Sequence, residues 1–150
     1  MKGTFNPKVR EVMTPEVATL KSSDHLDLAH DVMTLGRIRH MPVLAGERVV
    51  GIVSQRDLFR AAVSSVLDFR PAAEREWLGK IRVEEVMATQ VETADPDWPI
   101  ATAVGLMLDK KIGCLPVVEG GRLIGLLSES DCLRLLARLL APGAGPPGGS

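Results

Sequence analysis

The stretch "GIVSQRDL" occupies residues 51–58, and "GLLSESDC" occupies residues 125–132. In each stretch two apolar residues follow a glycine, and an aspartate follows a serine at the third position. A short apolar run that ends in Ser-x-x-Asp is typical of a strand that turns directly into a capped helix. The echo therefore predicts a repeated strand-to-helix turn, a repeated binding site, or both.

The echo belongs to a duplication that covers most of the chain. An offset of 74 residues pairs each position from Val9 to Ala62 with a position in the second half, without a gap. Val9 thus pairs with Val83, and Gly51 with Gly125. Because chance similarity does not hold register over this length, we interpret the chain as a tandem duplication.

Each copy predicts the same order of elements, β-α-β-β-α. Apolar residues at helical spacing predict the helices, and short β-branched runs next to turn residues predict the strands. In copy one the segments are a first strand around Val17 and Thr19, a helix over 24–38 with Asp24 as N-cap, a hairpin of 41–44 and 48–54 turning at Gly46, and a helix from 55. Neither copy alone is long enough to bury its sheet comfortably, so we expect the copies to pack together.

The repeat and the composition also predict the domain limits. Pro71 precedes a helix-capable connector, whose simplest interpretation is a surface connector with Trp77 docked on the body of the protein. The last residues are rich in Pro and Gly, which favours disorder. The predicted limits are an N-terminal extension over 1–8, a first motif over 9–66, a linker helix over 67–82, a second motif over 83–140 and a disordered tail over 141–150.

Composition limits the class of protein. The chain has 150 residues, is 45% hydrophobic and carries a formal net charge of −1, so it provides no cationic field for nucleic acid. No apolar run reaches the roughly 18 residues of a membrane helix, and no signal peptide is recognisable. Cys114 and Cys132 lack metal-ligand spacing, which favours buried thiols in a reducing compartment. We expect a cytoplasmic protein that binds neither nucleic acid nor a membrane.

Three pairs of sequence blocks resemble the CBS motif, named after cystathionine β-synthase, and two such motifs in tandem resemble the Bateman module. The blocks are "EVMTPEVATL" with "EVMATQVETA", "RIRHMPVL" with "KIGCLPVV", and "GIVSQRDL" with "GLLSESDC". A single Gly-x-x-Ser-x-x-Asp would be weak evidence for any family. The resemblance spans residues 9 to 137, and its blocks recur in the same order in both copies.

The resemblance implies an α/β (α+β) fold in which tandem β-α-β-β-α motifs pack with pseudo-two-fold symmetry. It implies two equivalent clefts that take adenosine-containing ligands such as AMP, ADP, ATP or S-adenosylmethionine. It also implies a homodimer, and since the sequence contains no other domain we expect the module to stand alone. We expect ligand occupancy to change its conformation, which an unidentified effector protein would read.

Aspartates and serines carry the predicted ribose contacts. A carboxylate only accepts hydrogen bonds, and it can accept one from each hydroxyl of a ribose 2′,3′-diol. Asp57 and Asp131 match the ribose-binding aspartate of the family. Ser54 and Ser128 lie three residues earlier, where a hydroxyl can turn toward a ligand or cap the following helix. From the spacing alone, both interpretations of this pattern stay open.

Phosphate contacts are predicted to differ between the copies. Copy one has Arg39 and His40 before its second strand, with Arg56 beside the aspartate, and the resemblance implies that basic residues there reach phosphate. Copy two offers the uncharged Cys114 and only the hydroxyl of Ser130 at the matching positions. Copy two also has Lys110 and Lys111 before its second strand. Solvated helix ends favoured by the macrodipole are the alternative interpretation of Arg37 and Lys110. The first cleft thus looks better equipped for a phosphorylated adenosine.

An apolar slot for adenine is predicted from motif position. One cleft can combine the first strand of one copy with the aspartate of the other, so the candidates are not assigned to individual clefts. For Val17, Val91, Met41 and Leu115, core packing is the stronger alternative. The candidates are Thr14, Val17, Thr19, Met41 and Pro42 in copy one, and Ala88, Val91, Thr93, Cys114, Leu115 and Pro116 in copy two.

No catalytic arrangement stands out in the sequence. His25 and His30 are five residues apart, which does not place them on one helix face, and neither phosphate-loop nor dinucleotide fingerprints occur. We expect no enzyme activity, no catalytic cofactor and no metal site. The main alternative function is a protein-interaction module that has lost its ligand and only dimerises. Retention of both aspartates argues against complete loss, although each can also serve as a helix cap.

Overall fold

The computed structural model describes residues 5–63 and 72–143. The chain divides into two compact units, one formed by Val17–Val91 and the other by Met1–Glu16 together with Glu92–Ser150. We name them the Asp57 unit and the Asp131 unit after the aspartate that each contains. The units do not coincide with the sequence repeats, because each contains the first segment of one copy and the body of the other.

The described elements alternate between helices and strands. In chain order they are α1 (Val9–Val12), β1 (Thr14–Pro15), β2 (Leu20–Lys21), α2 (Leu26–Gly36), β3 (His40–Ala45), β4 (Arg48–Ser54), α3 (Gln55–Ala62), α4 (Ala73–Leu78), a 3-10 turn (Val83–Glu85), α5 (Ile100–Lys110), β5 (Cys114–Glu119), β6 (Arg122–Ser128) and α6 (Glu129–Leu140). The predicted α/β class is confirmed, and so is the hairpin, in which Gly46 adopts a φ of 63°.

The sheet of the Asp57 unit has the strand order β2-β3-β4, with β2 parallel and β4 antiparallel to β3. Beyond β4, Ala88 of the second copy continues the sheet. The Ile52 N–H donates to Ala88 O at 3.0 Å, and the Ala88 N–H donates to Ile52 O at 2.9 Å. A segment of copy two therefore completes the sheet that copy one builds.

The sheet of the Asp131 unit repeats this arrangement with the copies exchanged. Its strand order is β1-β6-β5, and Thr14 of copy one lies opposite Leu126 of copy two. On the far side, Ala94 pairs in parallel with Val117, as β2 pairs with β3 in the other unit. Each unit therefore has the same sheet order, and the first segments of the two copies are exchanged between the units.

The expected first strand around Val17 and Thr19 is wrong. Neither residue lies in a strand, and the extended pieces are β1 before them and β2 after them. Glu16 lies between these pieces with a φ of 54°, a left-handed conformation that interrupts an extended chain. The chain passes from one unit to the other directly after Glu16, so the break is where the segment exchange begins.

The expected N-cap of α2 is also displaced by one residue. His25, not Asp24, is the N-cap, and its side chain makes no capping bond. The Asp24 carboxylate instead accepts a hydrogen bond from the Lys21 N–H at 2.7 Å. The Asp24 carboxylate thus accepts a hydrogen bond within the turn before the helix, and this local bond competes with capping.

A methionine of the exchanged segment crosses each sheet at the glycine that opens the repeated stretch. A Cβ at Gly51 would lie 2.5 Å from Met87 Sδ, and a Cβ at Gly125 would lie 2.6 Å from Met13 Sδ. A Cβ at Gly125 would also lie 2.9 Å from the backbone oxygen of Thr14. Only glycine leaves room for this approach, which explains why the glycine occurs in both copies.

Each unit has its own hydrophobic core. Val83 of the second copy is fully buried in the core of the Asp57 unit, and Val9 of the first copy is fully buried in that of the Asp131 unit. The connector α4 adds the fully buried Leu78 to the Asp57 core. The Trp77 indole N–H donates to Ala61 O at 2.7 Å and so satisfies a carbonyl at the end of α3. The connector is thus part of the core, not only a surface segment.

Some predicted features lie outside the described residues. These are residues 1–4 of the extension, residues 64–71 at the end of the first motif and start of the linker, and residues 144–150 of the tail. The predicted domain limits therefore stay predictions. No helix within residues 5–63 and 72–143 is long and apolar enough to cross a bilayer.

Candidate functional site

Asp57 lies in the first turn of α3, where it forms a capping box with Ser54. The Ser54 N–H and hydroxyl donate to Asp57 Oδ2 at 2.8 and 2.9 Å, and the Asp57 N–H donates back to Ser54 Oγ at 3.1 Å. The sequence forms this turn because a serine N-cap and an acceptor three residues later satisfy orphan N–H groups. The capping interpretation of Ser-x-x-Asp is therefore confirmed in this copy.

Asp131 forms the same capping box with Ser128 at the start of α6, with donors at 2.8 and 2.9 Å from Oδ2. Asp131 is only 6% exposed, and it is the one buried charged side chain in the described part of the chain. Burial of a carboxylate is costly unless hydrogen bonds compensate it. Two further donors reach this carboxylate from outside the capping box.

One of these donors comes from the first copy. The Thr14 hydroxyl donates to Asp131 Oδ1 at 2.8 Å. Residues 117 positions apart meet because β1 pairs with β6, and β6 leads directly into α6. The first segment of copy one thus contacts the aspartate of copy two within the Asp131 unit, and a ligand cleft formed by these two parts stays a prediction. At the matching place in the Asp57 unit, Ala88 has no hydroxyl to offer.

The basic pair of copy one lies beside Ser54 at the start of α3. The Arg39 carbonyl accepts a hydrogen bond from the Gln55 N–H at 2.7 Å, and His40 lies opposite Ser54 in the β3–β4 ladder. Arg39 and Arg56 are exposed, and His40 is half-buried. The Asp57 unit therefore places three cationic or titratable residues and one aspartate near the same helix start.

The corresponding surface of copy two carries less charge. Gly113 takes the place of Arg39 and accepts from the Glu129 N–H at 3.0 Å. Cys114 is buried opposite Ser128, while Ser130 is exposed on α6. Lys111 ends α5 in a left-handed conformation, and Lys110 lies 3.9 Å from the Glu92 carboxylate. The lysines thus lie at the end of α5, and whether they contact a ligand stays a prediction.

The adenine candidates separate into buried and accessible residues. Met41 and Leu115 are core side chains, at 1% and 0% exposure. Thr14, Thr19 and Thr93 are exposed, and Val17 and Val91 are half-buried. The first segments supply the accessible candidates, and the second strands supply the buried ones, which also include Pro42, Cys114 and Pro116. A role of any of them toward adenine stays a prediction.

Arg134 is the site residue that sequence reasoning missed. Its guanidinium donates to Asp131 Oδ1 at 2.9 Å, and its side chain is 68% exposed. The signal was present, since Asp and Arg three residues apart on a helix are neighbours. Asp57 and Arg60 in copy one are also three residues apart, so the sequence pattern alone does not distinguish the two copies.

The thiols of this region are held protonated. Burial, with a smaller contribution from the nearby Glu129, raises the pKa of Cys114 to about 12. Burial also raises the pKa of the Cys132 thiol. Since the thiolate is the nucleophile, neither thiol is activated at neutral pH. Within the described residues, no three His, Cys, Asp or Glu side chains are grouped as metal ligands.

A comparison with protein families identifies the fold. The family model described as CBS domain matches residues 9–64 and 83–138. The chain belongs to the CBS domain family. It is a CBS domain pair, in which the family matches coincide with the two copies of the sequence repeat, whereas the compact units of this CBS pair exchange their first segments.

The curated relatives differ greatly in length. A CBS domain-containing protein from Dictyostelium discoideum is 32% identical over 139 residues, which cover 89% of this CBS pair and 94% of the relative. A-adding tRNA nucleotidyltransferase of Geobacter sulfurreducens is 29% identical, and the match covers 84% of this chain and 13% of that enzyme. Homoserine O-acetyltransferase of Methanohalobium evestigatum is 31% identical, covering 85% of this chain and 24% of that enzyme. The chain thus spans a quarter or less of these two enzymes.

Solved structures share the fold over nearly the whole chain. The protein named for acetoin utilization (AcuB) from Vibrio cholerae has a TM-score of 0.73 and 35% identity, covering 89% of this chain and 92% of that chain. CBSX2, solved in complex with AMP, has a TM-score of 0.75 and 24% identity, covering 90% of this chain and 99% of that chain. At that identity the likeness to CBSX2 shows the fold alone.

Proposed function

We propose that this CBS pair is a regulatory module that binds an adenosine-containing ligand through Asp57 and Asp131 and responds by a conformational change. The candidate ligands are AMP, ADP, ATP and S-adenosylmethionine. The observation that carries the proposal is the Asp57 carboxylate, whose Oδ2 is held by the capping box while Oδ1 has no hydrogen-bond donor within its unit among the described residues. A carboxylate that is fixed through one oxygen and open at the other can accept a hydrogen bond from a ribose hydroxyl.

A phosphorylated ligand at Asp57 is supported by the charges around α3. The exposed Arg39 and Arg56 and the half-buried His40 lie at the same helix start as Asp57. Guanidinium groups bind phosphate oxygens with two parallel hydrogen bonds, which favours a nucleotide over an uncharged nucleoside. The weaker charge near Asp131 favours a less phosphorylated ligand there.

A binding role rather than catalysis is supported by the chemistry of the titratable groups. The two cysteine thiols have raised pKa values and are not activated nucleophiles. The family is a regulatory one, and the enzymes among the relatives carry much additional sequence. The reduced thiols are consistent with a cytoplasmic location, which forms part of the proposal.

A homodimer is supported by apolar side chains on the last helix of each copy. Phe59 on α3 and Leu133 on α6 occupy matching positions and are 72% and 64% exposed. Leu136 and Leu140 extend the apolar face of α6. Two-fold association brings identical patches together, so a second copy of this chain is the occupant we propose for these faces. Leu133→Asp is expected to shift a dimer toward monomer in sedimentation experiments, whereas Leu35→Asp on α2 is the exposed control.

Thermal unfolding with a panel of adenosine compounds tests the ligand class. AMP, ADP, ATP, S-adenosylmethionine and NAD are each added to the full chain. A ligand at 100 times its dissociation constant stabilises the native state by about 2.7 kcal/mol, which corresponds to several degrees at roughly 2–4 °C per kcal/mol. The absence of a shift with every compound would overturn the proposed ligand class.

Calorimetric titration tests the residues. Asp57→Ala is expected to weaken AMP binding about tenfold or more, because a charge-assisted hydrogen bond is lost. Arg39→Ala is expected to weaken AMP binding and leave adenosine binding unchanged. The control is Asp109→Ala, which removes an exposed carboxylate at the end of α5. Equal AMP affinity in Asp57→Ala and Asp109→Ala would contradict the assignment of the site.

A ligand-free interaction module is the second candidate function. It is favoured by the exposed leucines of α6 and by the fact that protein donors already satisfy the Asp131 carboxylate. In that case the panel gives no thermal shift, and Leu133→Asp still abolishes association.

A further inference from the structure

The hydrogen bonds of Asp131 occupy its whole acceptor capacity. A carboxylate offers about four lone-pair positions, two on each oxygen. On Oδ2 these accept from the Ser128 N–H and hydroxyl, and on Oδ1 from the Thr14 hydroxyl and the Arg134 guanidinium. A ribose hydroxyl therefore finds no acceptor at Asp131 unless one of these donors moves away.

Asp57 differs from Asp131 in both of the additional donors. Ala88 stands where Thr14 stands in the other unit, and Arg60, the counterpart of Arg134, makes no hydrogen bond to Asp57 in the described structure. Among the described residues, the donors to the Asp57 carboxylate are the N–H and the hydroxyl of Ser54, and both bind Oδ2. Two acceptor positions on Oδ1 stay open within the unit, which equals the number of hydroxyls in a 2′,3′-diol.

We propose that Arg134 is a latch that closes Asp131 to ribose, so that the two aspartates differ in affinity and a ligand occupies Asp57 first. This inference rests on the proposed function, because it concerns how the same aspartates are used. Strand pairing fixes the backbone of Thr14, and the helix start fixes the Ser128 capping box. Arg134 is the donor that can leave, since its side chain is 68% exposed.

The exposure of Arg134 also sets the size of the effect. The Asp131 carboxylate is buried, but the Arg134 guanidinium is exposed and solvent screens its charge. Release of the latch is therefore expected to raise affinity about twofold to fivefold and not by orders of magnitude. A latch of this strength raises the ligand concentration needed to occupy Asp131 but still allows binding there. Arg134 is thus a residue that determines specificity between the two aspartates.

Adenosine titrations in single-site backgrounds test the latch. In full-length Asp57→Ala, which leaves Asp131 intact, the added Arg134→Ala is expected to tighten adenosine binding about twofold to fivefold. In Asp131→Ala, which leaves Asp57 intact, the matched Arg60→Ala is expected to leave adenosine binding unchanged. Thermal unfolding without ligand verifies that each variant is folded, and because both arginines are exposed we expect no loss of structure.

A comparison of adenosine with AMP distinguishes a latch from a phosphate contact. A latch predicts tighter binding of adenosine in Arg134→Ala. Weaker AMP binding with unchanged adenosine binding would identify Arg134 as a phosphate contact and overturn the inference. Unchanged affinity for both compounds would also overturn it and leave the proposed function standing. No binding in either Asp57→Ala variant while the wild type binds would overturn it too and limit the proposed function to Asp57. No adenosine binding by the wild type would overturn both.

Discussion

At the scale of single residues, the glycine that opens each repeated stretch is set by a neighbour from the other copy. Met13 and the Thr14 backbone cross directly over Gly125, so that even a methyl group would contact them at 2.6 and 2.9 Å. Gly105 in α5 is different, because a Cβ there would meet no atom within 4 Å. The two glycines therefore have opposite expected responses to the same substitution.

Gly125→Ala is expected to lower the free energy of unfolding by about 1–3 kcal/mol, because the added methyl overpacks the contact with Met13. Gly105→Ala is expected to raise it by about 0.5–1 kcal/mol, because alanine is the better helix former. Urea denaturation of both variants measures the difference. Equal effects of the two substitutions would show that the crossing of Met13 does not constrain the strand.

At the scale of elements, the connector helix α4 is held to the rest of the Asp57 unit by two contacts of different kinds. Leu78 is fully buried in the core, and the Arg75 guanidinium binds the Asp31 carboxylate of α2 with contacts of 2.8 and 3.3 Å. The first contact is apolar, whereas the second is an exposed ion pair. Because the contacts differ, we expect the stability of the protein to respond to substitution at Leu78 and to pH through the ion pair.

Leu78→Ala is expected to destabilise the protein by about 2–5 kcal/mol, the range for a leucine removed from a packed core. Leu35→Ala is the control, since Leu35 is 86% exposed, and its effect should stay within about 0.5 kcal/mol. Thermal unfolding of both variants gives the comparison. A small effect of Leu78→Ala would mean that α4 is only a connector.

The Arg75 to Asp31 ion pair predicts sensitivity to acid. The hydrogen bond from Arg75 lowers the pKa of Asp31 below its ordinary value of 3.8. The pKa of Asp31 is therefore lower in the folded state than in the unfolded state. The ion pair stabilises the folded protein above the unfolded pKa, and this stabilisation is lost as pH falls through the folded pKa. Urea midpoints measured below about pH 4 should therefore fall less steeply in Arg75→Ala than in the wild type. Parallel pH profiles would contradict this contribution.

At the scale of the whole molecule, the two copies are joined by more than the connector, because each unit contains a segment of the other copy. Val9 and Val83 are the matching anchors, each fully buried in a core built mainly by the opposite copy. The duplication is therefore not a pair of independent domains on one chain.

Engineered cysteine pairs test this exchange. With the native cysteines replaced by alanine, Thr14→Cys with Leu126→Cys is expected to form a disulfide on oxidation, since the two residues lie opposite each other in the β1–β6 ladder. The same-copy pair Thr14→Cys with Ile52→Cys has no such ladder and serves as the control. Mass spectrometry of proteolytic fragments identifies the cross-link. Efficient cross-linking of the control alone would contradict the exchange.

The sequence predicted the parts of the fold that depend on local pattern. Periodicity and turn residues predicted α2, the hairpin and α3, and the offset of 74 residues carried the same assignment into the second copy. The exchange of first segments was not predictable in this way. Val9 and Met13 recur as Val83 and Met87, so either segment presents the same apolar side chains and fits either body.

In the candidate site, too, local features were predictable from the sequence and long-range contacts were not. The capping boxes followed from Ser-x-x-Asp, because their atoms lie within one helical turn. The saturation of Asp131 did not follow, since it requires Thr14 to arrive from a distant segment. Arg60 and Arg134 are identical in type and spacing, so only the three-dimensional structure distinguishes their surroundings.

The hydrogen bond between Thr14 and Asp131 has a consequence for how such a chain changes in evolution. A substitution at residue 14 changes the surroundings of residues 126 and 131, so compensating changes are expected between the two copies as well as within one copy. After duplication, the two halves of this gene would have become interdependent at once. A mutation at Thr14 in the first copy can thus change the ligand preference of Asp131 in the second.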